Sequence, residues 1–158
     1  MTFPAPAQAI HPDRESKRRV LVSSTSSDSH TWNLVFLQIL LEEMGHEVIN
    51  IGSCVPDDLL IEQARRHRPD VVVLSSVNGH GALDGKRLIT RIRALLDLAD
   101  LPVVIGGKLD IKAGEGGQAG PELMDAGFSA VFEDGQGIDT FRDYLTLTGP
   151  RRELEAAG

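Results

Sequence analysis

Cysteine is nearly absent: Cys54 stands alone, so no disulfide can close within the chain, and a reducing compartment such as the cytoplasm is the simplest setting. Aromatic residues make up only 4% of the sequence, too few for a surface that stacks nucleic-acid bases. Excess positive charge is also missing. Sixteen Lys and Arg face 23 Asp and Glu, and the resulting net charge of −7 disfavours a nucleic-acid backbone as partner. No apolar run approaches the roughly 20 residues that span a bilayer, so no membrane partner is expected. The first 17 residues carry prolines, alanines and charges without a continuous apolar stretch. They read as a disordered leader rather than a secretory signal. Residues 149–158 read as a flexible, charged tail.

What remains, 18–148, suits one domain. With 41% apolar and 25% charged residues over the 158-residue chain, there is enough apolar side chain for a substantial core. Val20 to Ser23 reads as a first strand. A helix follows over Trp32 to Met44, with Leu34, Leu37, Leu41 and Met44 on one face, Glu42 and Glu43 facing water, and Gly45 at its end. Glu47 to Ile51 is a second strand. Pro56, Asp57 and Asp58 open a second helix; Arg65, Arg66, His67 and Arg68 close it, and Pro69 stops it. Asp70 to Ser75, with an unbroken apolar run from Val71 to Leu74, and the continuously apolar Leu101 to Ile105 read as strands buried on both faces.

Between those strands, Asp84 is placed to cap a third helix whose inward stripe is Leu88, Ile92 and Leu95. Lys86, Arg87, Arg91 and Arg93 lie outside. Gly106 to Gly120 is a glycine-rich loop, Pro121 to Ala126 a short fourth helix, and Ser129 to Phe132 a fifth strand. Ile138, Phe141 and Leu145 give a fifth helix its buried face. Five alternations of strand and helix imply a doubly wound α/β fold, flavodoxin-like (Rossmann-like), with a five-stranded parallel sheet in the order 2-1-3-4-5. In such folds ligands sit beyond the carboxyl ends of the strands near the switch point, here strands one and three.

Those ends carry chemistry. Tip one holds Ser27-Asp28-Ser29-His30-Thr31. Asp28 can accept a hydrogen bond from one ring nitrogen of His30, fixing the tautomer and leaving the other nitrogen as a lone-pair donor for a metal. The plainer alternative is that either residue caps the next helix. Tip three holds Ser75, Ser76, Val77, Asn78, Gly79, His80 and Gly81; tip four holds Gly106, Gly107 and Lys108. Taken singly, Ser75 caps its own strand end and Gly106-Gly107 is a turn.

Taken together, Asp28-x-His30, Ser75-x-Val77 and Gly106-Gly107 resemble the cobalamin-binding module of the B12-dependent mutases and methionine synthase. Ser27-Asp28-Ser29-His30, Ile49-Asn50-Ile51-Gly52, Ser75-Ser76-Val77-x-Gly79-x-Gly81 with Asp84 and Lys86 following, and Val104-Ile105-Gly106-Gly107 are more similar still to the small subunit of glutamate mutase (methylaspartate mutase). The likeness runs from Arg19 to about Leu147. It implies adenosylcobalamin in the base-off, histidine-on state. His30 would be the axial cobalt ligand, Asp28 would hold its other nitrogen, and Ser75 and Val77 would meet the displaced base. Gly106-Gly107 would make room for the nucleotide tail. Ser27, Ser29, Thr31, Asn33, Asn78, Gly79 and Lys108 complete the implied cofactor contacts.

Three positions depart from the family pattern: Asn33 replaces a glycine, Val77 a leucine, and Asn78 an aromatic residue. The tail is still expected to bind. The likeness further implies an isomerase, inactive alone. It would act with a larger (β/α)8-barrel subunit as a heterotetramer and interconvert L-glutamate and threo-3-methyl-L-aspartate, the amino-acid substrate lying on the partner. Alternatives are the small subunit of an acyl-CoA mutase and a non-catalytic cobalamin carrier or sensor. A receiver-like signalling domain is weaker, because the acidic pair near strand one is missing. A zinc site at His30, His80 and Cys54 lacks regular ligand spacing. His80 and Lys108 lie at the same end of the sheet and could touch the cofactor or the partner; an exposed structural role is an equal alternative.

Overall fold

The structure, a computed structural model, describes residues 17–109, 119–133 and 137–147. The expected leader (but for Lys17), the tail and most of the glycine-rich loop lie outside these residues. The elements run β1 (Arg19–Ser24), α1 (Trp32–Glu43), β2 (Glu47–Asn50), α2 (Asp57–His67), β3 (Val71–Ser76), α3 (Gly81–Arg93), β4 (Val103–Gly107), α4 (Ala119–Ala126), β5 (Ala130–Glu133) and α5 (Gly137–Leu147). All strand pairs are parallel, in the order β2-β1-β3-β4-β5. The flavodoxin-like topology expected from the alternation is the one observed.

Alternation of side chains across the central strands divides the core. Leu21, Val72, Leu74, Val103 and Ile105 point to the side covered by α2, α3 and α4, where they meet Leu60, Leu88, Ile92 and Leu123. Val20, Val22, Val71, Val73 and Val104 point to the side covered by α1 and α5, against Leu34, Leu41, Phe141 and Leu145. Both faces are dry, which is why β3 reads as an unbroken apolar run. The register sets Ser24 beside Ser75, Ser75 beside Gly106, and Gly106 beside Phe132, so three polar or small strand ends align in one row.

The structure corrects several local expectations. Asp84 does not cap α3: the N-cap is His80, without a side-chain bond, and Asp84 sits a turn further in, buried, where it accepts hydrogen bonds from Ser27 of the loop before α1 and from Arg87 of its own helix. Gly106 and Gly107 belong to β4 rather than to the loop after it. Arg93 is half-buried rather than outside. Its guanidinium donates to the carbonyls of Gly127 at 2.9 Å, Ala99 at 3.0 Å and Leu101 at 2.7 Å, tying the end of α3 to the turns before β4 and β5. Burial pushes the Arg93 pKa down, but the guanidinium stays ionised at any working pH.

At the opposite end from the strand tips, the Arg18 backbone N–H donates to His46 Nδ1 at 3.2 Å. Burial, helped by the nearby Arg18 charge and opposed by Asp70, holds the His46 imidazole below its ordinary pKa. The folded chain therefore binds this proton less readily than the unfolded chain. His46 contributes stability above the unfolded pKa of about 6.5, and that contribution is lost as the pH falls below it. His46→Asn, which keeps an acceptor for Arg18 but cannot charge, should flatten the slope of Tm against pH between about pH 7 and 5. Thermal melts across that range check it.

Candidate functional site

The loop from β1 to α1 brings Asp28 and His30 to the carboxyl end of the sheet. Asp28 is 1% exposed. Its Oδ1 accepts from the His30 backbone N–H at 2.9 Å and lies 2.7 Å from His30 Nδ1; its Oδ2 accepts from the Val77 N–H at 2.6 Å. Burial pushes this carboxyl up, but the N–H groups of His30 and Val77 and the imidazole outweigh burial, and its pKa lies below the ordinary value. An ionised carboxylate only accepts, so the imidazole proton is on Nδ1 and the lone pair on Nε2. The His30 side chain is 56% exposed, and Nε2 has no hydrogen bond to any described residue. The arrangement is a tethered imidazole with one free donor atom.

The capping alternative is not what the residues do. Thr31 is the N-cap of α1, without a side-chain cap bond, and both Asp28 oxygens are spent on His30 and Val77. One residue thus joins tip one to tip three. Asn78 adds a second link: its Nδ2 donates to Ser27 O and Oγ, both at 3.1 Å, and its Oδ1 accepts from the His80 N–H at 2.9 Å. Among the described residues, no three of His, Cys, Asp and Glu converge as a metal cage. An ion at Nε2 would have to bring its remaining ligands with it, as a macrocycle does.

Beside the imidazole loop a cleft of about 370 Å³ opens between α1 and α5 over the ends of β3 and β4. Its walls are largely apolar, from Phe36, Leu37, Val104 and Phe132, with Asn33, Ser75, Val77, Gly106 and Gly107 at the strand ends. This size and character suit a flat organic group with a few polar edges. The Asn33 amide and the Ser75 hydroxyl have no hydrogen bonds to other described residues, so both are free to meet a ligand. Gly106 contributes no side chain to a wall that any Cβ would narrow, since that Cβ would already stand 3.2 Å from Phe132 O.

The structure therefore gathers Asp28, His30, Asn33, Ser75, Val77, Gly106 and Gly107 around one imidazole and one cleft. Ser27 and Asn78 stand behind them, engaged with each other. Ser29, Thr31 and Lys108 are exposed, and Gly79 takes a left-handed turn (φ +84°) just before α3. His80 is exposed at the start of α3. Trp32, 84% exposed and two residues past His30, was not marked by any motif. Nor was Arg87, which reaches the same loop from α3. No helix among the described residues is long and apolar enough to cross a membrane.

Comparisons with known proteins find cobalamin-binding relatives. The model of the B12 binding domain family matches residues 18–120. The chain is 26% identical over 124 residues to the glutamate mutase sigma subunit of Fusobacterium nucleatum, covering 78% of this chain and 90% of that one. It is 29% identical over 142 residues to glutamate mutase sigma subunit 1 of Haloarcula marismortui, covering 86% and 91%. Among solved structures, a cobalamin-binding protein from Desulfitobacterium hafniense DCB-2 superposes with a TM-score of 0.63 at 18% identity, over 81% of this chain and 59% of that one. At that identity the superposition speaks for the fold alone.

Proposed function

The chain belongs to the B12 binding domain family, and from that membership we propose that it is the cobalamin-binding small subunit of an adenosylcobalamin-dependent carbon-skeleton mutase of the glutamate mutase type. The observation that carries this reading is the 2.7 Å contact between Asp28 and His30 Nδ1, which leaves Nε2 uncommitted beside an apolar cleft. His30 would hold the cobalt of the cofactor through Nε2. Asp28 orients the ring and raises the basicity of Nε2. The cleft takes the displaced base, with Ser75 and Asn33 offering hydrogen bonds to the tail and Gly106 leaving space for it. The likeness to curated sigma subunits supports the same assignment.

When bound, adenosylcobalamin supplies a cobalt–carbon bond that breaks homolytically, the source of the radical chemistry. The residues of this chain would hold the cofactor, His30 at the metal and the cleft around the base. By likeness to the sigma subunits, the substrate, L-glutamate or threo-3-methyl-L-aspartate, would lie on a larger barrel subunit, and the complex would work in the cytoplasm. Mixing the purified chain with adenosylcobalamin should give the visible spectrum of a histidine-ligated, base-displaced species. Adding the barrel subunit should then give interconversion of the two amino acids. A free-cofactor spectrum at saturating protein overturns cofactor binding; ligation without turnover beside any barrel subunit overturns the mutase.

A further inference from the structure

Behind the imidazole, away from the cleft, lies a set of charges that the cofactor reading does not use. Arg87, on α3, donates from Nε and Nη2 to the two oxygens of Asp57 at 2.8 and 3.2 Å. Its Nη1 donates to Asp84 Oδ1 at 3.1 Å, and Nη2 also reaches Ser26 Oγ at 2.8 Å. Ser27 Oγ donates to the second oxygen of Asp84. One guanidinium thus fastens the start of α2, the first turn of α3 and two consecutive residues of the loop that ends at His30.

The exposures say what such a network is for. Arg87 is 48% exposed, while the carboxylates it serves are 8% and 9% exposed. A half-exposed cation is screened by water, so the network adds little stability for its size. What it supplies is geometry. The planar fork holds three partners through four hydrogen bonds in one rigid plane, whereas a lysine ammonium has three donors and no fixed fork. Arg91 stands near Asp57 as well, so that carboxylate keeps a cation if Arg87 is lost. Asp84 would keep only its bond from Ser27.

We propose that Arg87, with Asp57 and Asp84, is a positioning clamp that holds the Ser26-Ser27 segment so that His30 is set for cobalt before the cofactor arrives. This rests on the reading of His30 as the axial ligand. Arg87 touches neither imidazole nor cleft; it acts through Ser26 and through Asp84 on Ser27. Without it the loop keeps Asp28's bonds and the bond from Ser27 to Asp84, but loses the tie of Ser26 to the guanidinium and through it to α2. Ligation must then order the loop at the moment of binding, which weakens it.

Three variants are titrated with adenosylcobalamin, reading the histidine-ligated spectrum and the dissociation constant, with a thermal melt alongside. Ser26→Ala cuts the loop's direct contact to Arg87 and leaves Ser27 on Asp84. It should weaken histidine ligation about five- to tenfold with Tm unchanged. Arg87→Met should weaken it about tenfold or more. Arg87→Lys should keep Tm near that of the wild type, because a charge remains, but should not restore ligation, because the fork is gone. In the cofactor-free protein, the fluorescence anisotropy of Trp32, the only tryptophan, should fall in Ser26→Ala. Normal ligation in Ser26→Ala, or full rescue of ligation by Arg87→Lys, overturns the clamp. A wild type that shows no histidine-ligated spectrum overturns the axial-ligand reading instead, which separates the two failures.

Discussion

Cobalamin bound to His30→Ala should show no histidine-ligated spectrum, and its affinity should fall about 10- to 100-fold, the range seen when a metal centre loses a tuned ligand or its orienting partner. The variant removes the uncommitted Nε2 of an imidazole whose partner, Asp28, is bonded to Val77 in the cleft wall. Folding should survive, because the His30 side chain is mostly in solvent and Asp28 keeps the Val77 N–H and the His30 backbone N–H. Asp28→Asn should do a different kind of damage. Oδ1 accepts from two His30 donors and Oδ2 from Val77, so an amide places an NH2 against a donor whichever way it turns. The expected outcome is a lower Tm together with weakened ligation, whereas His30→Ala changes ligation alone. An unaltered spectrum in His30→Ala would remove the basis for the axial-ligand assignment.

Much of this was legible in the sequence because the governing physics is local. Val71 to Leu74 and Val103 to Ile105 must be strands buried on both sides, and their alternation with amphipathic helices permits few topologies. Asp28 and His30 are two residues apart, so their pairing needs no knowledge of the rest of the fold. Errors arose where a residue's role depends on a distant neighbour. Asp84 looks like a helix cap from its position in the chain; only the fold brings Ser27 to it. Arg87 and Arg93 lie on what reads as a solvated face of α3, yet one reaches the β1–α1 loop and the other the turns before β4 and β5. Asn78 follows Val77 where the family carries an aromatic, and its amide bridges two loops instead. Glycine is disfavoured inside strands, which is why Gly106-Gly107 reads as a loop. The structure pairs both residues with β3 and β5.

Those two adjacent glycines should fail in opposite ways. Gly107 has φ +115°, and a Cβ built there would stand 2.1 Å from the carbonyl oxygen of Ser76. That oxygen is backbone in the neighbouring strand and cannot swing aside. Gly107→Ala combines the left-handed backbone penalty of about 1–2 kcal/mol with this clash, so it should lower Tm by several degrees or more. Gly106 has no such φ, and its Cβ would meet Phe132 O at 3.2 Å and Phe132 Cβ at 3.4 Å, contacts that a small shift relieves. The remaining atoms of a leucine there would have only the cleft to enter. A flat base excluded from the cleft forfeits burial on the order of 100 Å², about 2.5 kcal/mol or roughly 70-fold in affinity. Gly106→Leu should therefore melt near the wild-type temperature yet bind cobalamin on the order of a hundredfold more weakly, whereas Gly107→Ala should lose fold and binding together. Circular dichroism melts paired with cofactor titrations read both. Wild-type affinity in a well-folded Gly106→Leu would mean that the nucleotide tail lies somewhere other than this cleft.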